Sequence, residues 1–258
     1  MPGDDRSTHY PLALRLLDHQ IDGPDGAALA KVDDIELELR ETGPVATALL
    51  CGPGALGPRL PGRLGRWTTA VWRRLSLDPN PTPMRIPLLA VTDIGAVITV
   101  NAEAASAVHQ RLTLEHWLGE HLIGRLPGSG HEPLLAPPPR ARGAVDLFQE
   151  QTEVSRLRLS HVLTFSAQVD GREAGTIHEV VAVHEAPHGP VVGAMPVVGY
   201  VAGRRRSGST FGYDRHPEHG PWLLRAAMLA WHRHDSRIDQ QDLQAFDHVN
   251  RQVTARGA

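Results

Sequence analysis

Several features that define other protein classes are scarce in this chain of 258 residues. Cys51 is the only cysteine, which excludes an internal disulfide and any cysteine-rich metal knuckle. No apolar run approaches the roughly 20 residues that cross a bilayer, so we expect no membrane span. The opening stretch, MPGDDRSTHY, is polar and lacks the basic and apolar regions of a signal peptide. These absences favour a cytoplasmic location.

Lysine is nearly absent as well, since Lys31 is the only one and the other basic residues are arginines. This bias is typical of a GC-rich genome, so the number of arginines alone does not indicate arginine-specific chemistry. The net charge of -3 is too small to predict a nucleic-acid or membrane partner for the molecule as a whole. With 41% hydrophobic and 21% charged residues, the composition is that of an ordinary globular protein.

Two parts of the chain have similar sequences, which we interpret as an internal duplication. Asp25-Gly26 matches Asp170-Gly171, and the stretch 32–35 (VDDI) matches 177–180 (IHEV), both at an offset of 145. GPVATALL (43–50) then matches GPVVGAMP (189–196) at 146, and the later matches lie at 147 and finally at 152. An offset that only grows is what loop insertions between two copies produce. The alternative is two unrelated β-rich segments with similar turn residues.

Both copies have the pattern of strands. Ile35, Leu37 and Leu39 alternate with Glu36, Glu38 and Arg40, a period of two that predicts one face on a core and the other in water. The carboxylates of Asp33, Asp34 and Glu179 are likewise expected at a strand edge in water. Glycines at 193, 199 and 203 indicate bulges or corners of the kind that close a small sheet into a barrel.

Helices are predicted beside and between the copies. Residues 101–124 carry an apolar stripe at helical spacing, and a Gly- and Pro-rich connector follows. The predicted organisation is therefore a first domain over 12–100, a helix and linker over 101–145, and a more divergent second domain over 146–250. The segments around Trp67 and Trp222 are interpreted as helices that lie on the barrels with their apolar residues in the core. An exposed aromatic docking patch is the alternative.

These residues carry a family resemblance. The Asp-Gly turn, KVDDI, GPVATALL and RIPLLAVTDIGAVITV resemble the PRC-barrel family, over residues 12–100 and more weakly over 155–250. The resemblance implies a mainly β fold of two small PRC-type β-barrels with accessory α-helices, joined by the helix and Pro-rich connector. It also implies an interaction module that docks on protein or ribonucleoprotein surfaces, because the family has no shared catalytic residues. A fold alone does not settle a function.

Arginines recur at the same position of both copies, after the GPV-containing strand. Guanidinium groups bind phosphate or carboxylate with two hydrogen bonds, and aromatic residues lie nearby for stacking. The functional interpretation is a docking site for RNA or an acidic protein, and the alternative is a solvated loop in an arginine-rich chain. The candidate binding residues are Arg59, Arg63, Arg66, Arg204, Arg205, Arg206 and Arg215.

Signals for metal binding and catalysis are weaker. Imidazoles with a carboxylate could bind zinc, but the late histidines match no zinc signature, so we predict no metal and no cofactor. Cys51 follows an apolar strand and is expected to be a buried thiol. No nucleophile elbow is present, and we assign no catalytic residue. The late group is His216, His219, His232, His234 and Asp235.

The sequence therefore predicts a non-catalytic adaptor that presents two PRC-barrel surfaces to a protein or ribonucleoprotein partner of unknown identity. RNA or ribosome binding through the arginines is the alternative, with a metal-dependent or other enzyme third.

Overall fold

The computed structural model of the chain describes residues 8–60, 62–75, 82–111, 155–184, 194–203 and 236–257. The described part of the first half contains eight strands and four helices, with short 3-10 turns at Gly57–Arg59 and Leu88–Ala90. In chain order the elements are β1 (Thr8–Pro11), α1 (Leu12–Leu16), β2 (Gln20–Asp22), β3 (Ala28–Lys31), β4 (Asp34–Arg40), β5 (Gly43–Cys51), α2 (Pro53–Leu56), α3 (Gly62–Leu75), β6 (Met84–Pro87), β7 (Val91–Ile94), β8 (Ile98–Val100) and α4 (Ala102–Arg111).

The described part of the second half contains seven strands, one helix and a 3-10 turn at Gln240–Asp242. Its elements are β9 (Arg156–Arg158), α5 (Leu159–Val162), β10 (Ser166–Val169), β11 (Arg172–His184), β12 (Met195–Gly203), β13 (Ser236–Asp239), β14 (Leu243–Asp247) and β15 (Gln252–Ala255).

The strands form one large curled sheet and one small sheet, which confirms the prediction of a mainly β fold. The large sheet runs in the order β14-β15-β10-β11-β12-β5-β4-β9, and β1, β13 and β6 pair beside this path with β11, β12 and β5. The small sheet has the order β3-β2-β8-β7. That each half closes into a complete barrel stays a prediction.

The same strand pairings occur in both halves. In the first half β2 is antiparallel to β3 and parallel to β8, while β5 lies between β4 and β6. In the second half β10 is antiparallel to β11 and parallel to β15, while β12 lies between β11 and β13. The two Asp-Gly turns occupy equivalent places, and their glycines Gly26 (φ 78°) and Gly171 (φ 71°) both adopt the left-handed conformation. This recurrence supports the proposed duplication.

The pairing register changes one part of the predicted alignment. Asp34 pairs with Leu50 in the first half, and Glu179 pairs with Val201 in the second. If Asp34 and Glu179 correspond, as the sequence predicts, Leu50 corresponds to Val201 and not to Pro196. The extra residues lie in the connection between β11 and β12, where loop length changes without cost to the sheet.

The two halves exchange their first strands. β1 precedes the first half but pairs with β11 of the second, where Tyr10 lies opposite Ala182. β9 precedes the second half but pairs with β4 of the first, where Leu157 lies opposite Leu37. The strands β5 and β12 also pair directly with each other. Hydrogen-bonded sheet therefore runs without interruption from one half to the other.

One hydrophobic core serves both halves. Its buried residues include Ile35 and Leu49 from the first half and Phe165, Ala182 and Tyr200 from the second. The predicted domain limits at 12–100 and 146–250 stay a prediction. Strand pairs and core residues connect the two halves across these limits. Most of the predicted linker lies outside the described residues; its beginning is the helix α4.

Tyr200 is the largest fully buried side chain among the described residues, and it stacks on Phe246 with ring centroids 5.9 Å apart. No described residue hydrogen-bonds its hydroxyl group, which is shielded from solvent. Burial raises the pKa of this phenol, as expected for a group without a polar partner. An unpartnered buried hydroxyl destabilises the folded state because it loses its hydrogen bonds to water.

We expect Tyr200→Phe to raise the free energy of unfolding by about 1 kcal/mol, since it removes the hydroxyl and keeps the ring. Urea denaturation followed by circular dichroism measures the difference. Tyr200→Leu is the contrasting variant, because it also removes the ring contact and is expected to destabilise the protein. A Tyr200→Phe protein less stable than wild type would show that the hydroxyl has a partner.

Candidate functional site

Helix α3 follows β5, α2 and the 3-10 turn in the chain, and it packs against α2 and that turn along one face. That face carries Gly65, Thr69 and Trp72, which are spaced four and three residues apart as neighbours on a helix are. A Cβ atom at Gly65 would collide with the backbone oxygens of Gly57 and Leu60. A Cβ atom at Gly54 would collide with the Trp72 ring. The helix is therefore held close to the body of the protein through glycines.

The face of α3 that points away from the body includes an apolar stripe, which we define as Leu64, Trp67 and Val71. Leu64 is 52% exposed and Trp67 is 64% exposed, and Val71 is half-buried. The expectation that the Trp67 segment places its tryptophan in the core was wrong. Trp72 contacts the body instead, because the helical period turns Trp67 to the solvent side.

An arginine stripe runs along the helix beside the apolar stripe, and its four members are Arg63, Arg66, Arg73 and Arg74. All four are exposed, and α3 contains no aspartate or glutamate that could compensate their charge. None of the four forms an ion pair with a carboxylate in the described part of the chain. Arg66 and Arg73 line an open groove between α3 and the turn Gly57–Arg59.

Arg59, also predicted as a binding residue, forms an ion pair and hydrogen bonds with other residues of the chain. Its guanidinium donates to both carboxylate oxygens of Asp18, at 3.0 and 3.2 Å, and to the backbone oxygen of Asp33 at 2.8 Å. The side chain thereby joins the loop after α1 to the loop before β4. Arg59 is separate from the arginine stripe for this reason.

Asp33 fixes the chain where β5 leads into α2. Its carboxylate accepts a hydrogen bond of 2.6 Å from the amide of Gly52, a residue in the left-handed region at φ 88°. Burial raises the pKa of Asp33, although the Gly52 amide and the Arg59 charge oppose this effect. Asp33 and Arg59 together set the position from which α2 and α3 continue.

Asp34 and Glu179 form a reciprocal pair of contacts between the halves. The Asp34 carboxylate accepts hydrogen bonds from the amide and hydroxyl of Ser160, at 3.0 and 2.5 Å, at the start of α5. The Glu179 carboxylate accepts from the amides of Ala13 and Leu14, at 2.7 and 2.9 Å, at the start of α1. Each half thus supplies a carboxylate to the first amides of the other half's helix, where orphan donors need an acceptor.

The expectation that these carboxylates edge a strand into water was wrong for Asp34, which is fully buried. The same holds for Glu36, which is buried and accepts from Arg85 and Thr47, both at 2.9 Å. Alternation along β4 identified the two faces of the strand but not the polar partners that cover the second face. The recurrence of an acid at the offset of 145 was the available signal for Asp34 and Glu179.

Several predicted sites lie outside the described residues. These are Arg204, Arg205, Arg206 and Arg215, the segment around Trp222, and the late group from His216 to Asp235. Within the described ranges, no three histidine, cysteine, aspartate or glutamate side chains lie close enough to hold a metal ion. Cys51 is buried at the end of β5, which confirms the prediction of a buried thiol.

Comparison with known proteins leaves the family open, because no protein-family model and no curated protein matches this chain. The resemblance to the PRC-barrel family stays a prediction from the residues quoted in the sequence analysis. Among the helices in the described ranges, none combines the length and apolar character needed to cross a membrane.

Proposed function

We propose that this protein is a non-catalytic adaptor of the PRC-barrel type, which docks on an acidic macromolecular surface through helix α3. The observation that carries the proposal is an arginine stripe that forms no ion pair among the described residues, beside an exposed apolar stripe on a closely packed helix. Exposed arginines without acidic neighbours attract an anionic partner, and exposed Trp and Leu side chains give such a partner an apolar contact.

The packing of α3 supports a role in docking. Gly65 and Trp72 hold the helix against the turn Gly57–Arg59 and against α2, so the exposed stripes are presented at a constant orientation. A preorganised surface binds more tightly than a flexible one, because less conformational freedom is lost on binding. The equivalent arginines of the second half are outside the described residues, and the proposal therefore rests on α3.

Chromatography on immobilised heparin, a polyanion, tests the proposal with the full-length chain. The wild type is expected to elute at higher salt than a variant with Arg63, Arg66, Arg73 and Arg74 all changed to Gln, because the arginine stripe is lost. A variant with Arg172, Arg237, Arg251 and Arg256 all changed to Gln is the matched control, since it loses the same number of charges from exposed arginines outside α3. Elution of the quadruple variant together with the wild type would overturn the proposal.

RNA is a second candidate partner, favoured by the exposed Trp67 ring next to Arg63 and Arg66, a combination that can stack on a base and bind phosphates. Filter binding to poly(U) at several salt concentrations tests it. If all four arginines contact phosphates, the slope of log affinity against log salt becomes shallower by about 3 in the quadruple variant. Equal slopes would remove this candidate.

A further inference from the structure

We infer that the acidic surface recognised by α3 is an anionic phospholipid bilayer, on which the helix lies parallel to the membrane plane. This inference rests on the proposed function, because it names the partner of the same surface. In this arrangement the apolar stripe faces the acyl chains and the arginine stripe lies among the headgroups. No segment of the protein crosses the bilayer in this mode of binding.

The exposed arc of α3 is divided lengthwise into two kinds of side chain. At about 100° per residue, Leu64, Trp67 and Val71 fall on one strip of the surface, and the arginines fall on the neighbouring strip. Polar side chains of intermediate character are few on this arc. Such separation of apolar and basic residues is typical of helices that lie in a membrane interface.

The side-chain types fit a bilayer surface. Tryptophan is enriched at membrane interfaces, because its ring is apolar while its indole N–H can bond to headgroups or water. Arginine binds phosphate groups through two parallel N–H donors and can extend its apolar stem over the acyl boundary. Arg66 and Arg73 also line the open groove beside α3, so part of the arginine stripe borders a concave surface.

A bilayer explains the apolar stripe better than RNA does. Leu64 and Val71 have no ring to stack on a base and no polar group to bond to one, although their stripe includes the exposed Trp67. The stripe also lies on a convex helix surface that is attached to the body along one side, which permits shallow docking on a flat surface. An extended anionic plane satisfies both stripes at once.

Sedimentation with vesicles tests the inference on the full-length chain. The probes are vesicles of phosphatidylcholine alone and vesicles in which about one-third of the lipid is phosphatidylglycerol. We expect the wild type to bind the anionic vesicles at least about tenfold more tightly than the neutral ones, with the difference falling at high salt. Equal binding to both, or no binding to the anionic vesicles, would overturn the inference.

Two variants assign the binding to α3. Changing Arg63, Arg66, Arg73 and Arg74 to Gln is expected to weaken binding to anionic vesicles by about tenfold or more. Leu64→Ser with Trp67→Ser is expected to weaken it by about tenfold, since the apolar contact is lost. The matched control for the arginines changes Arg172, Arg237, Arg251 and Arg256 to Gln. The matched control for the apolar stripe is Leu89→Ser with Val249→Ser, whose native side chains are 70% and 76% exposed outside α3. Equal losses in controls and α3 variants would overturn the inference.

Tryptophan fluorescence gives a readout that does not depend on the stability of the multiple variants. Brominated lipids in anionic vesicles are expected to quench the wild type, and Trp67→Phe is expected to lose most of this quenching while it still binds. Unchanged quenching in Trp67→Phe would contradict the proposed orientation.

The two proposals fail in distinguishable ways. Heparin retention that depends on the arginine stripe, without vesicle binding, would overturn the bilayer as the partner and leave the proposed adaptor function standing. If the protein shows neither arginine-dependent heparin retention nor vesicle binding, both the proposed function and the bilayer inference are overturned. Arginine-dependent binding to poly(U) without vesicle binding would identify RNA as the partner instead.

Discussion

Asp34→Ala is expected to lower the free energy of unfolding by about 3 kcal/mol, one of the two largest effects predicted for this protein. The substitution removes the acceptor of three hydrogen bonds, from the amide of Ile35 at 2.9 Å and from the amide and hydroxyl of Ser160 at 3.0 and 2.5 Å. These donors lie where water does not easily replace the lost acceptor. Urea denaturation of wild type and variant measures the difference.

The pH dependence of stability provides a separate test of the Asp34 site. Burial is the main cause that raises the pKa of this carboxyl, and the hydrogen bonds from Ser160 and Ile35 and the charge of Arg158 oppose it. The folded protein therefore holds the Asp34 proton more tightly than the unfolded chain does. Its contribution to stability is largest below the unfolded pKa of about 3.9 and declines as the pH rises through the higher folded pKa.

Asp34→Asn is the matched variant, because it keeps the shape of the side chain and does not titrate. The unfolding free energy of the wild type relative to this variant should fall as the pH rises through that window, and it should be constant at higher pH. A difference that is independent of pH, or one that grows with pH, would contradict the assignment. Ser160→Ala, combined with Asp34→Ala in a double-mutant cycle, isolates the contact between the halves.

Gly65→Ala is expected to lower the free energy of unfolding by about 2 kcal/mol. Alanine stabilises an exposed helix relative to glycine, so helix propensity alone predicts the opposite sign. A steric clash outweighs this preference, because the new Cβ would meet the backbone oxygens of Gly57 and Leu60. Backbone atoms cannot move aside as a flexible side chain can. Denaturant unfolding gives the magnitude, and near-ultraviolet circular dichroism reports the surroundings of Trp72.

Ala70→Gly calibrates this experiment. Ala70 is exposed on the same helix, so its substitution changes helix propensity with little change in packing. It is expected to cost about 1 kcal/mol. A Gly65→Ala protein more stable than wild type would mean that α3 does not pack as closely as the structure indicates.

The parts of this fold that sequence reasoning predicted are those decided by local chemistry. The Asp-Gly turns before β3 and β11 are readable because glycine alone reaches φ values of 78° and 71° without strain. The alternation in β4 correctly identifies Ile35 and Leu37 as core residues. Such signals depend only on neighbours along the chain, and one sequence is sufficient to find them.

The errors have a different origin, since they concern partners that are distant along the chain. Glu36 and Asp34 look like solvent-facing residues until Arg85 and Ser160 are known to lie beside them. The contact between Arg59 and Asp18 is equally invisible in the sequence, and the role of Arg59 in binding stays a prediction. Trp67 and Trp72 occur in the same apolar segment, and only the packing of α3 on its glycines shows which one faces outward.

The exchange of first strands has a consequence for synthesis on the ribosome. The amide of Ala13 bonds to Glu179, which lies 166 positions later in the chain. The strand β1 pairs with β11 across a similar separation, so it has no partner until most of the chain is synthesised. An N-terminal half that leaves the ribosome alone has β4 without β9, and β1 without any edge to join. Contacts of such long range slow the acquisition of native structure, and an unpaired edge invites association with other chains. We therefore expect neither half to fold stably when it is expressed separately.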